Sequence, residues 1–507
     1  MESEKKLILD VNESPKKIGQ WIILAVQHLL AMFVACITVP FLVFNGYSVL
    51  IGDTVYSLAA LMIAPTLLAA GIGTLFYLFV TKGKSPMFLA SSFAYIAAMS
   101  AAVKVGALAD DKGILQAVEY AAGETTVNIT QVNLWILPVG MLMVGIIYCI
   151  VAALIKAFGT DWLNKLLPPI VIGPVIMVIG LGLAGSAVNN LIGANSGLVY
   201  NWCAIISGLV AMAVTAICAH YGKKTISLIP FVLGMGAGYL VATLFTVFGW
   251  YIGKNAYFHI VDFSSIVNTF SPFRFTSILD YPKVLPYVAA AAKNSVGFDW
   301  TYLGQAALLF IPVSLVTICE HIGDHKNMSG IIDRDLLKEP GLSRTLIGDG
   351  VATALSGGIC GAANTTYGEN VAVVGVTKIA SVKVIGLACL FTIGLAFFSP
   401  LMAITQTIPA CVTGGVSLIL YGFIASSGVK MLIHERIDLG NTKNIFVAAV
   451  ILVTGIGALT FQFGTVATIT STAVSMILGI LMNIMLKDKK PAAPAAVEEK
   501  AEEKSAE

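Results

Sequence analysis

Charge is what this sequence has least of. Its 507 residues carry 30 Lys+Arg and 28 Asp+Glu, 11% in all, while 57% are hydrophobic and the mean hydropathy is +0.87. Average soluble chains are roughly 25% charged, so a water-soluble fold is excluded and the solvent is lipid. A net charge of only +2 lacks the basic excess that nucleic acid requires. No two of the eight cysteines have the CxxC spacing of a zinc or redox site, which leaves them as free thiols among hydrophobes. The sequence holds no GxxxxGK[ST] phosphate loop, no HExxH and no GxSxG. An enzyme is therefore not expected, no cofactor or metal is implied, and no ATP-driven step is expected of the chain. The apolar segments run for about twenty residues without period-two alternation, which excludes an outer-membrane barrel. The first twenty residues lack the apolar stretch of a cleaved signal peptide.

What is present is a series of runs long enough to cross a hydrocarbon core roughly 30 Å thick. Candidate spans lie near 21–44, 55–80, 86–103, 134–157, 167–188, 202–219, 226–250, 302–323, 346–362, 366–380, 384–404, 408–429, 444–461 and 464–486. The expected fold is thus an all-α polytopic membrane protein of fourteen segments. Residues 1–20 form an N-terminal tail and 21–250 a first seven-span repeat. An aromatic-rich external connection follows at 251–300, then a second seven-span repeat at 301–486 and a low-complexity, disordered tail at 487–507. With both termini cytoplasmic, 24 of the 30 lysines and arginines fall inside. The other six, Lys104, Lys112, Lys254, Arg274, Lys283 and Lys293, lie in two long external segments.

In a seven-plus-seven inverted repeat, span 3 pairs with span 10 and span 1 with span 8, and substrate sits where matching spans break. Span 3 carries Ser91-Ser92-Phe93-Ala94-Tyr95 and span 10 carries Asn364-Thr365-Thr366-Tyr367-Gly368-Glu369-Asn370. Broken backbone at membrane depth survives only when buried in protein or lining a cavity. A loop outside the membrane is the alternative for span 10. Span 8 brings Glu320, His321 and Asp324. The carboxylates, four apart, share one helical face, and intramembrane charge is expensive enough to turn that face toward a polar cavity. Such groups suit proton carriage, although Asp324 also reads as the first residue of a cytoplasmic loop before His325 and Lys326. Gln27 and His28 in span 1 either contact substrate or bond a neighbouring helix. Asp349, near the start of span 9, either caps that helix or pairs with the site.

These residues resemble a known family, the nucleobase/ascorbate transporters or nucleobase:cation symporter-2, and within it the bacterial uracil and uracil/xanthine permeases. The likeness runs from Gln20 to about Lys487 and rests on the run Asn364 to Lys378, Gln27-His28 and Cys319-Glu320-His321-Ile322-Gly323. The family pattern expects Gly where Ala372 stands, while Glu369, Asn370, Thr377 and Lys378 fit. The resemblance implies a core domain of spans 1–4 and 8–11 and a gate domain of spans 5–7 and 12–14, with short antiparallel strands in spans 3 and 10. It implies a base contacted by Phe93, Glu320, Gly368 and Glu369 with Tyr367 adjacent. Glu320, Asp324 and Glu369 would then couple protons, supported by Gln27, His28, Tyr95, Asp349 and Asn370. The implied activity is uracil import by proton symport in a bacterial inner membrane, with Na⁺ as the alternative ion and a homodimer through the gate domain. Asp324, a histidine in some uracil permeases and an acid in purine-transporting relatives, keeps xanthine or another purine as the rival cargo. An anion exchanger or channel of the same architecture is the competitor from another class.

Overall fold

The computed structural model describes residues 7–44, 47–51, 54–106, 117–122, 125–130, 132–193, 200–223, 226, 229–253, 255–281, 299–463 and 467–486. The tail from residue 487, residues 282–298 of the connection at 251–300, and Lys5, Lys6, Lys112, Lys224, Lys254, Lys283 and Lys293 lie outside them.

Lipid offers no partners for peptide groups, so apolar runs satisfy their backbones as helices. The principal ones are α1 (Ile18–Phe44), α2 (Leu58–Val80), α3 (Ile96–Ala102), α4 (Ile136–Phe158), α5 (Pro169–Gly182), α6 (Trp202–Tyr221) and α7 (Pro230–Tyr251). They continue with α8 (Trp300–Ile332), α9 (Leu342–Gly358), α10 (Gly368–Thr377), α11 (Val382–Leu395), α12 (Ala410–His434), α13 (Thr442–Ile456) and α14 (Ser471–Met485). Among the described residues, eight helices are long and apolar enough to cross a bilayer, counting α5 with its continuation to Leu191. Apolar helices α11, α13 and α14 are shorter. The fold is that of a helical polytopic membrane protein.

Several boundaries differ from the hydropathy reading. Run 302–323 belongs to a helix of 33 residues, α8, which starts on Asp299 as N-cap (Oδ1 accepts Thr301 N–H at 2.8 Å) and ends at Asp333 in a left-handed turn. Asp324 therefore lies within the helix and the loop reading fails, because His325, Met328 and Ile332 continue its buried face. Helix α9 begins at Leu342, after Gly341 at φ +98°, so Asp349 sits at mid-helix and is not its cap. The connection at 251–300 carries a short helix, Ser264–Phe270, docked on the helix Ser399–Thr407 through Ser265 Oγ and Gln406 Oε1 at 2.9 Å.

Strand β1 (Leu89–Ser91) lies near the start of run 86–103 and strand β2 (Asn364–Thr366) just before α10 in run 366–380, and the two pair antiparallel with Leu89 opposite Thr366. Tyr367 N–H to Phe88 O (3.1 Å) and Ser92 N–H to Ala363 O (2.8 Å) extend the pair. So small a sheet has two open edges, and every unpaired peptide group there costs several kcal/mol in an apolar setting. Hydroxyls on α2 and α9 fill them. Thr74 Oγ1 accepts Leu89 N–H at 2.9 Å and Thr66 Oγ1 accepts Ala362 N–H at 2.9 Å. Thr353 and Ser356 donate to the carbonyls of Asn364 and Ala362, and Asn364 Nδ2 donates to Ala69 O at 2.9 Å.

Helices α4 and α9 approach closely through Gly145 and Gly350. A Cβ built on Gly350 would lie 2.3 Å from that of Tyr148, and one on Gly145 2.8 Å from Gly350 O, the close approach that small residues permit between membrane helices. On the other side α12 nestles between α5 and α6, with Gly415 against the backbone of Gly208. The described part of the N-terminal tail is docked: Ile8 N–H meets Lys378 O at 2.7 Å, Ala380 N–H meets Leu9 O at 2.9 Å, and Arg334 pairs with Asp10. Lys84 hydrogen-bonds Glu339 at the same end of the molecule and holds that exposed carboxyl below its ordinary range.

Candidate functional site

The crossing strands leave a cavity of about 290 Å³ on one side, at the small end of ligand pockets. Ser91, Ser92 and Phe93 line it where β1 ends, and Thr365 to Glu369 where β2 turns into α10. Helix α8 contributes Glu320, Gly323, Asp324, Asn327 and Ile331; α12 contributes Phe423, Ser427, Lys430 and Met431; α5 contributes Ile176. From the strands the lining continues toward the C-terminal ends of α8 and α12, where Asn327 and Lys430 are exposed.

Six residues singled out in the sequence thus share one hollow: Phe93, Glu320, Asp324, Tyr367, Gly368 and Glu369. Helical spacing puts Glu320 and Asp324 one turn apart on the same wall. Glu320 Oε2 is inaccessible and has no hydrogen-bond partner, whereas Asp324 Oδ2 accepts the Thr366 hydroxyl at 3.0 Å. Gly368 is the exposed first residue of α10, and a Cβ there would meet Asp324 Oδ1 at 3.3 Å. Glu369 follows in the first turn. Phe93 sets its ring edge against Tyr421 of α12, centroids 5.9 Å apart.

The other five lie behind this wall. Tyr95 stacks on Phe310 and hydrogen-bonds Thr317 Oγ1 at 3.0 Å. Gln27 and His28 are buried in α1; His28 Nδ1 and both amide atoms of Asn370 lack partners. Asp349 is wholly buried and paired, its Oδ2 2.7 Å from His321 Nδ1. His321 Nε2 meets Thr345 Oγ1 at 2.9 Å. His325 stacks on His321 at 4.0 Å and its Nδ1 lies 2.7 Å from His321 O. That carbonyl can only accept, so His325 Nδ1 carries hydrogen; in the neutral ring Nε2 then accepts the Tyr77 hydroxyl at 2.7 Å, and Tyr77 accepts from Ser85 at 2.8 Å.

Sequence reasoning named no site residue on α5 or α12. Ser427 stands in a run rich in small residues, Gly422 to Gly428, flanked by Tyr421, Lys430 and Met431, and that composition is the one available hint of a helix facing something other than lipid. The scaffold hydroxyls Thr66, Thr74, Thr353 and Ser356 were missed as well.

Comparison with known proteins follows the same outline. A uracil permease of Bacillus caldolyticus is 37% identical over 495 residues, covering 97% of this chain and 98% of that protein. A uracil permease of Escherichia coli strain K12 is 32% identical over 481 residues, 94% of each chain. Among solved structures, the murine Solute Carrier 26 family member A9 (Slc26a9) anion transporter in the inward-facing state superposes with a TM-score of 0.58 at 11% identity. That match covers 93% of this chain and 69% of the other; at such identity it bears on the fold alone. A profile described as the Permease family matches residues 19–463, and with near full-length relatives above 30% identity, the chain belongs to that family.

Proposed function

We propose that the protein is a secondary active transporter that imports uracil with a proton by alternating access. The observation that carries this reading is the meeting of Glu320 from α8 and Glu369 from α10 with the strand crossing around one small cavity. Uracil presents two N–H donors and two carbonyls in one plane, and each needs a partner once water is stripped away. Glu320 and Glu369 accept the ring N–H groups, peptide N–H groups beside Phe93 and at the start of α10 donate to the carbonyls, and Phe93 or Tyr367 covers the ring face. The proton rides on the acids, with Asp324 held ready by Thr366. A neutral base entering with one proton carries one positive charge inward, worth about 2.3 kcal/mol per 100 mV, so accumulation needs no ATP.

Fourteen segments in two inverted repeats fit the arrangement: each strand runs into a short helix, β1 into α3 and β2 into α10. The core unit is α1–α4 with α8–α11, the gate unit α5–α7 with α12–α14, and dimerisation runs through the gate. In the orientation that the lysine distribution favours, both termini face the cytoplasm of a bacterial cell and the cavity opens inward. The rival cargo is xanthine or another purine, kept alive by Asp324 in the cavity wall. An anion substrate suits three carboxylates poorly.

Purified protein tested against a panel of bases discriminates these. A ligand at a hundred times its Kd stabilises by about 2.7 kcal/mol, so uracil raises the melting temperature by several degrees and xanthine at equal concentration does not. Stabilisation by xanthine alone transfers the assignment to purines. Stabilisation by no base contradicts it.

A further inference from the structure

Lys84–Glu339 ties the segment after α2 to the α8–α9 connection, and Arg334–Asp10 ties the end of α8 to the N-terminal tail; both join segments of one packed unit and would travel with it. Lys326 is different. It stands on α8 between Asp324 and Asn327, and its Nζ reaches 2.7 Å to Oε1 of Glu435, the residue that ends α12 on the opposite wall of the cavity. Both side chains are about one third exposed, 33% and 28%. Elsewhere α8 meets α12 lightly: Gly323 has no side chain, and a Cβ built there would lie 2.7 Å from Met431 Cε, the free end of a flexible chain. A glycine against a thioether tip lets two helices slide, while an ion pair between them fixes one register.

We propose that the Lys326–Glu435 pair is a latch that holds the cavity open toward the C-terminal ends of α8 and α12 and parts when the cavity turns to the other side. This inference rests on the alternating-access part of the proposed function and not on the cargo. A slide of α8 along α12 by a single helical turn, about 5.4 Å, takes the charges out of contact, so the pair stabilises one state only. A ligand or contact shifts a two-state equilibrium by its differential energy between the states, and partly exposed pairs shift it modestly. Lys326 and Glu435 touch no cargo; they are positioning residues.

The test labels a reporter cysteine, Ser427→Cys on the cavity wall, with a membrane-impermeant maleimide added to the cytoplasmic side of inside-out vesicles, with no nucleobase present. The chain without the reporter is the blank for native thiols. Lys326→Gln and Glu435→Gln are each expected to slow labelling about two- to fivefold, and the charge-swapped double variant Lys326→Glu/Glu435→Lys to return it to the parental rate. Unchanged or faster labelling in the single variants, or a swap as slow as they are, overturns the latch. If no base stabilises the protein while labelling still follows the charge pattern, the uracil assignment falls and the latch stands.

Discussion

Glu369→Gln abolishes concentrative uptake of labelled uracil while the protein still reaches the membrane in normal amount. Glu369 lies in the first turn of α10, half-buried in the cavity wall beside the exposed Gly368 and across from Glu320 on α8. The amide keeps the shape, so packing is retained, and two chemical properties go. An ionised carboxylate only accepts hydrogen bonds, whereas an amide turned the wrong way presents N–H to a ring N–H; a buried polar group left unpaired costs about 1–3 kcal/mol, or roughly five- to 150-fold in affinity. The amide also takes up no titratable proton, which on the proposed symport would remove the coupling and with it accumulation against a gradient. Initial-rate uptake in a strain lacking other uracil carriers, beside quantification of the membrane-inserted protein, checks this. Normal accumulation by the variant removes Glu369 from the coupling and weakens the whole site.

His321→Leu lowers the melting temperature of the purified protein by several degrees, more than any surface change does. His321 and Asp349 are both fully buried, with His321 Nδ1 2.7 Å from Asp349 Oδ2. Removing the imidazole leaves Asp349 Oδ2 without its hydrogen-bond partner in a low-dielectric interior, a loss of about 1–3 kcal/mol. Replacing both by apolar residues of similar volume removes the stranded group as well, so His321→Leu/Asp349→Leu melts above His321→Leu. The non-additivity measures the pair itself. A melting temperature unchanged in the single variant shows that the two side chains do not act together.

The sequence carried the site's chemistry further than its geometry. Polar runs at Ser91–Tyr95 and Asn364–Asn370 are visible in a chain this apolar, and the chain leaves the helix at both places. The register that sets Leu89 opposite Thr366 joins residues 277 positions apart, and no local pattern encodes it. Hydropathy ended the eighth run before Asp324 because it sees charge and not direction. In the structure Asp324 turns to Thr366, His325 to Tyr77 and Lys326 to Glu435, so three polar residues in succession extend a helix that composition would stop. Threonines such as Thr74 are silent for a related reason: a hydroxyl in an apolar helix ordinarily bonds its own backbone, and Thr74 does bond Ala70 O at 2.7 Å while also accepting from Leu89. Asp349 read either as a helix cap or as a partner of the site; its place at mid-helix removes the cap, and its contact is His321.

The account stands on a proton and a flat heterocycle crossing together through the hollow that Glu320 and Glu369 flank. Uptake of labelled uracil into proteoliposomes of the purified protein, with an acidic exterior and an inside-negative potential, tests it most directly. The expected result is accumulation above the external concentration without sodium, lost on adding a protonophore. Equilibration without accumulation, or accumulation that follows sodium and ignores the protonophore, contradicts it.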